Sequence, residues 1–280
     1  MNNFKIGINS KIDCNRVEID DSVVVGDNVK IECEFIKLGK FSVIGDNVKI
    51  TCRNFEADEW LYMCSGVEVG RGGCTGPNSN VKIGKHVGIF ENTIINPSDS
   101  VEIGDDVGIG SEVMIWTHGA WLDILQGFPS DFGPVKIGNN VWLPARNIVL
   151  PNVTIGDNSV IGIGSIINKD IPAGSLAAGS PCKVIKENYY PRPLDEEQQK
   201  KLIWEIIWDW YELHEIKGIV DTRAKYDDGK IILIQQDKET IYYMEERKIE
   251  GYTNDVSEDL RDYLRRRGIK IYTDRLFKSI

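Results

Sequence analysis

Side chains that could do chemistry are few in this chain, and the three histidines make the shortest list: His86, His118 and His214. One of them interrupts a pattern. His118 lies in "MIWTHGAW" (Met114 to Trp121), where a six-residue rhythm that runs up to Ile115 stops, and "VKIG" at Val135 resumes it. An imidazole has an unperturbed pKa of about 6.5, so it is largely neutral at cytosolic pH and able to accept a proton. His118 therefore stands at the root of an insertion as a side chain able to take up a proton. His86 reads as a surface or corner residue of the regular "VKIGKHVGIF" repeat, and His214 as a packed or surface residue of a helix. A catalytic zinc needs several converging histidines, and these three are scattered. Cys14, Cys33 and Cys52 fall 19 residues apart with no C-x-x-C pair. In a coiled repeat they would stack, as small hydrophobes or, alternatively, as a ladder of sulfur ligands. Cys64, Cys74 and Cys182 show no pattern.

The elements that position His118 follow from the rhythm. Ile137, Leu143, Val149, Ile155, Ile161 and Ile167 are six apart, as are Ile83, Ile89 and Ile95, and then Ile103, Ile109 and Ile115. Between the last two sets the phase jumps by two at "NPSDS". Toward the amino terminus "VVGDNVKIEC" (Val24 to Cys33) recurs as "VIGDNVKITC" (Val43 to Cys52). A period of six fits neither a helix nor a meander. It fits very short strands, each sending one aliphatic residue inward, joined by Gly, Asp and Asn corners. Three such units make a triangular coil of about 18 residues, and coils stack at a strand spacing of about 4.8 Å. A coil of hexapeptides has no room for Gly119 to Pro134, so that stretch must leave the prism as a loop on one face. The loop carries Trp121, Leu122, Leu125, Phe128 and Phe132, enough apolar area to cover something.

"VKIGNNVWLPARNIVLPNVTIGDNSVIGIGSIINKDIPAGSLAAGSPCKVIK" (Val135 to Lys186) resembles the hexapeptide-repeat acyltransferases, in the galactoside, maltose and xenobiotic acetyltransferase branch. The resemblance is strong over about residues 81 to 186, weaker over 4 to 80 and absent beyond 190. It implies a mainly β fold, a left-handed parallel β-helix, although the general rule for parallel crossovers favours the right hand. It also implies acetyl-CoA as co-substrate, His118 as general base, a sugar-type or sugar-nucleotide acceptor, no resident metal, and a homotrimer with sites between subunits. Trp142 matches a tryptophan near the CoA arm, and Asn92 an asparagine that orients acceptor and histidine. Lys169, Lys183 and Lys186 match basic positions that meet the CoA phosphates. Gly162, Ser165, Ala178 and Gly179 are small residues against which a pantetheine arm can lie. "LPA" (Leu143 to Ala145) departs from the family, which carries glycine there. Pro144 has no N–H, so the amide of Ala145 becomes the candidate oxyanion donor. On the loop, Trp121 and Asp123 are the candidate acceptor contacts.

From Tyr190 the grammar changes, which divides the chain into a β-helix over 1–186 and an appendage over 187–280. Asp195 is placed to cap a helix that ends near Gly218, with Ile203, Ile207, Trp210 and His214 on one face. Its aromatics, Trp204, Trp208 and Tyr211 included, are expected to pack on the β-helix or on a neighbouring subunit. "KIILIQQDKETIYYMEE" reads as two strands turning near Asp237, and "SEDLRDYLRRRGIKIYTD" as a capped helix followed by a strand. Arg265, Arg266 and Arg267 read as a solvated helix end. The sequence names no role for residues 218–280.

Composition bounds the function. The net charge is −10 over 280 residues, which argues against a general nucleic-acid or membrane-surface binder. No apolar run approaches the roughly 20 residues of a membrane span, and "MNNFKIGINS" is not a signal peptide, so a cytoplasmic protein is expected. The reading is an acetyltransferase acting on a hydroxyl or amine. Its rivals are a non-catalytic β-helix scaffold and a metalloenzyme resembling γ-class carbonic anhydrase. No Gly-rich nucleotide-binding domain precedes the coils, which disfavours a nucleotidyltransferase.

Overall fold

In the computed structural model, which describes residues 4–280, the chain separates into two compact units, Met1–Arg192 and Pro193–Ile280. The first is a parallel β-solenoid, in keeping with a left-handed β-helix. One face stacks Val24–Val25, Val43–Ile44, Tyr62–Met63, Gly88–Ile89, Gly108–Ile109, Trp142–Leu143, Val160–Ile161 and Leu176–Ala178. A second stacks Lys49–Thr51, Glu68–Val69, Ile94–Asn96, Met114–Trp116, Ile148–Val149 and Ile166–Ile167. A third stacks Asn54–Ala57, Asn80–Ile83, Val101–Ile103, Val135–Ile137 and Thr154–Ile155. The aliphatic series read from the period lies inside: Ile89, Ile109, Leu143 and Ile161 have no exposed surface. Each such side chain contributes about 1.5–3 kcal/mol relative to exposure.

The "IGDN" corners have a physical reason for each residue. Asn28 and Asn47 hold φ of 56° and 58°, which asparagine tolerates. The Asp46 carboxylate accepts the Asp27 backbone N–H at 2.8 Å, tying one coil to the next. At Gly26 a Cβ would stand 2.3 Å from that same carboxylate oxygen, so no larger residue fits. His86 sits at such a corner, φ 61°, with Nδ1 3.5 Å from Asp106. The stack ends where Lys183–Lys186 turns back antiparallel on Leu176–Ala178.

The insertion after Trp116 is more ordered than a loop. His118–Ala120 and Ser130–Phe132 pair as an antiparallel hairpin, with a short 3₁₀ turn, Ile124–Gln126, at its tip. It covers little of its own unit. Trp121 and Leu125 are 95% and 93% exposed.

The second unit is a four-stranded antiparallel sheet, Thr222–Asp227, Lys230–Gln235, Lys238–Tyr243 and Lys248–Gly251 in that order, with three helices: α1 (Glu196–Tyr211), α2 (His214–Lys217) and α3 (Asp255–Arg266). Asp195 caps α1 through a capping box with Gln198. The turn near Asp237 is present, but the two outer strands went unread. Ile203, Ile207 and Trp210 join Ile231, Leu233, Tyr242, Leu260 and Leu264 in a core of the unit's own. The strand expected after α3 is also absent. The buried Arg261 guanidinium instead donates to the carbonyls of Ile271, Arg275 and Leu276, so that backbone is held by a side chain and not by a ladder. Arg265 and Arg266 pair with Asp262, and Arg267 with Asp209.

Asp259 of α3 is fully buried and accepts from Lys217 Nζ, Trp210 Nε1 at 2.8 Å and the Ile280 amide at 2.9 Å. Burial alone would raise its pKa, but Lys217 and the two N–H donors outweigh burial and lower it. A carboxylate lowered in the folded state stabilises above its unfolded pKa of about 3.9, and that contribution is lost as pH falls through the folded value. Replacing Asp259 by Ala strands Lys217 and the indole N–H, which should cost about 3–5 kcal/mol. Hydrogen exchange over residues 193–280 measures this, and unchanged protection in Asp259→Ala would contradict it.

Candidate active site

His118 begins the hairpin on the edge between the second and third faces, directly after the Met114–Trp116 strand. Its ring is half-buried. It stacks on Phe132, the residue opposite it in the hairpin, at 5.7 Å between centroids, and meets Trp116 edge-on at 6.1 Å. Thr117, fully buried, fixes the root. Its hydroxyl donates to Asn96 O at 2.7 Å and accepts from Asp99 N at 2.8 Å, while its carbonyl accepts from Gly133 N at 3.0 Å.

The side chain that touches the imidazole is Asn96, one coil away. Its Oδ1 lies 2.8 Å from His118 Nδ1, and Ser98 Oγ lies 3.0 Å from the same nitrogen. Asn96 has no exposed surface. Its Nδ2 donates to the carbonyls of Gly70 and Arg71, each at 2.7 Å, which fixes which end of the amide faces the histidine. An amide oxygen only accepts, so Nδ1 must be the protonated nitrogen of the neutral ring. Nε2 then keeps a lone pair.

Asn96 and Ser98 are the residues that sequence reasoning missed. Their signal was present: the two-residue phase slip at "NPSDS" falls on the edge where the next coil opens into the hairpin, with Asn96 opposite Trp116 in register. Asn92, the asparagine the resemblance offered for this role, sits at an exposed corner with φ 56°, its backbone N–H donating to Ser65 O.

The other sequence-named positions are distributed over several faces. Trp142 lies on the first face, 43% exposed, its indole resting on Gly108, where a Cβ would come within 2.5 Å of the ring. Ala145 follows at the next corner, and its N–H has no hydrogen-bond acceptor among the described residues. Lys169, Lys183 and Lys186 are exposed at the carboxy-terminal end of the solenoid, with Lys186 Nζ 4.3 Å from the Tyr189 ring centre. The Ser165 hydroxyl is committed internally. It donates to Gly162 O at 2.7 Å and accepts from Gly179 N at 3.0 Å, so it fixes the turn. At Gly162 a Cβ would lie 2.6 Å from the Ala178 methyl, so glycine is needed there for stacking of the coils themselves. Asp123 caps the tip of the hairpin, accepting from Leu125 N at 2.9 Å and Gln126 Nε2 at 3.1 Å, and Trp121 beside it is solvated. A groove of about 430 Å³ along Gly84, Gly104, Gly138 and Gly156 contains none of these residues. Among the described residues there is no cluster of His, Cys, Asp or Glu suited to a metal, and no helix is long and apolar enough to cross a membrane.

The chain is similar in part to known proteins. The bacterial transferase hexapeptide (six repeats) family matches residues 134–169. Galactoside O-acetyltransferase of Escherichia coli (strain K12) is 42% identical over 111 residues, which is 39% of this chain and 55% of that protein. The chain thus spans about half the length of the curated relatives it matches. Among solved structures, a galactoside acetyltransferase in complex with coenzyme A is 27% identical, covering 65% of this chain and 72% of that one with a TM-score of 0.34. A maltose O-acetyltransferase from Clostridium difficile 630 is 26% identical, covering 65% and 68% with a TM-score of 0.32. In the repeat over residues 134–169 and in the stretch shared with galactoside O-acetyltransferase, the chain is similar to hexapeptide-repeat acetyltransferases.

Proposed function

We propose that the chain transfers an acetyl group from acetyl-CoA to a hydroxyl or amine of a sugar-type acceptor, with His118 as general base. The observation that carries this reading is the fixed tautomer. Nδ1–H is held by Asn96 Oδ1, so Nε2 is the free acceptor. The names of the relatives, galactoside and maltose acetyltransferases, support a carbohydrate acceptor. In the proposed step, Nε2 takes the proton of the acceptor hydroxyl or amine as its oxygen or nitrogen attacks the thioester carbon. The carbonyl oxygen becomes an oxyanion, for which the free Ala145 N–H is a suitable donor. Collapse expels the CoA thiolate, which recovers the proton from His118, and no covalent enzyme intermediate forms. Lys169, Lys183 and Lys186 are placed in the open for the CoA phosphates, as suits a flexible point charge.

A panel of sugars and sugar nucleotides with acetyl-CoA, read by release of free thiol, tests the activity. His118→Ala should lower turnover by roughly 100-fold or more with a nearly unchanged Tm, since the ring is half-buried and a general base contributes to rate. A folded His118→Ala protein that keeps most of its activity would sink the mechanism.

The same geometry supports a site shared between copies, for which the resemblance to the acetyltransferases implies a homotrimer. His118 stands on the edge between the second and third faces, while Trp142 and Lys183–Lys186 belong to the sheet of the first face. A site using all of them is best built by two copies, with the apolar hairpin tip reaching to the neighbour. Mixing His118→Ala with a folded Trp142→Ala variant should then partly restore activity through hybrid sites. A fully active monomer by light scattering at assay concentration would refute the shared site.

A further inference from the structure

One edge of the prism holds a feature that acetyl transfer does not use. Cys14 and Cys33 are opposite in register on the long strands Lys11–Ile19 and Lys30–Leu38, and Cys33 Sγ lies 3.8 Å from Cys52 Sγ on the next coil. These thiols occupy the edge between the second and third faces, toward the amino-terminal end of the stack. Cys33 is half-buried and Cys52 is 5% exposed. All six cysteines are free.

We propose that Cys33 and Cys52 form a reversible thiol–disulfide site, oxidised by a low-molecular-weight disulfide. The backbone geometry permits the bond. Stacked coils stand about 4.8 Å apart, inside the Cα separation of about 4.4–6.8 Å that a disulfide spans. The two thiols also divide the labour. The hydrogen bond with the Cys52 thiol lowers the Cys33 pKa despite burial, which favours Cys33 as the attacking thiolate. Burial pushes Cys14, the alternative neighbour, up to about 11. Cys52 is raised, first by its hydrogen bond with Cys33 and then by burial.

The exchange balances in two steps. The Cys33 thiolate attacks one sulfur of the small disulfide, whose S–S bond breaks to release one thiol and leave a mixed disulfide on Cys33. Capping Cys33 removes the main restraint on Cys52, whose sulfur then attacks Cys33 and expels the second small thiol. Two protein thiols are oxidised, one disulfide is reduced to two thiols, and the two protein protons leave on those thiols. The product closes the chain between residues 33 and 52 and fastens two coils toward the amino-terminal end of the solenoid, which should slow hydrogen exchange there.

The test uses the full chain, reduced and then exposed to oxidised glutathione, followed by intact mass and tryptic mapping. The peptides separate cleanly, because Cys14, Cys33 and Cys52 fall in IDCNR, IECEFIK and ITCR. The expected result is loss of two hydrogens, a single link between IECEFIK and ITCR, and reversal by dithiothreitol. Cys52→Ser should trap a glutathione adduct on Cys33, while Cys14→Ser and Cys74→Ser should leave the link intact. Six unmodified thiols, or a link between any other pair, would overturn the proposal on the wild-type chain alone. An adduct on a cysteine other than Cys33 in a folded Cys52→Ser protein would overturn the assignment of the nucleophile.

Discussion

Every coil of the first unit must close in phase with the coil before it, because each backbone N–H of a strand is satisfied by a carbonyl one coil away and each inward aliphatic residue rests on its counterpart. An excess or missing residue inside a strand would turn the buried residue outward and break both ladders. Extra chain is therefore confined to corners. In this solenoid the irregular corners collect on one edge: the stretch from Gly70 to Ser79, the "NPSDS" slip and the His118 hairpin follow one another up the stack.

That confinement is what makes a site possible. A regular corner exposes a Gly, an Asp and an Asn whose hydrogen-bonding groups are spent on the next coil. A corner that departs from the period frees its side chains, and three such corners on one edge bring groups together that are far apart in sequence. Gly70 and Arg71 carbonyls orient the Asn96 amide, and Asn96 orients His118. The imidazole is thus positioned by two successive coils below it as well as by Phe132 across the hairpin. Rigid stacking supplies the precision that a solvated loop could not, at the cost of a fully buried polar side chain whose donors and acceptor all have partners.

The period made the solenoid, its aliphatic column and the exit of the chain at Gly119 legible, since each is a local repeat of residue types. The capping residue of α1 was legible for the same reason. Asn96 was not, because its partnership with His118 runs along the stack, and nothing within one hexapeptide encodes which residue lies one coil below. Ser165, Gly162 and Asp123 carry structural duties that no single hexapeptide displays: a hydroxyl that fixes a turn, a missing Cβ that lets coils stack, and a carboxylate that caps the hairpin tip. The tail after α3 shows the same limit in the second unit. "GIKIYTD" has strand-like alternation, yet its backbone is claimed by Arg261, a buried side chain that alternation cannot announce.

Which nitrogen of His118 carries the proton decides whether a lone pair is left at Nε2. Long-range proton–nitrogen NMR correlation on the ¹⁵N-histidine protein at neutral pH reports this directly, and with three histidines the His118 signals can be assigned by comparison with His118→Ala. The expected spectrum shows a neutral ring protonated at Nδ1, with Nε2 shifted as a free acceptor, and loss of that preference in Asn96→Ala. A neutral His118 protonated at Nε2 would leave no base facing the acceptor and would contradict the account.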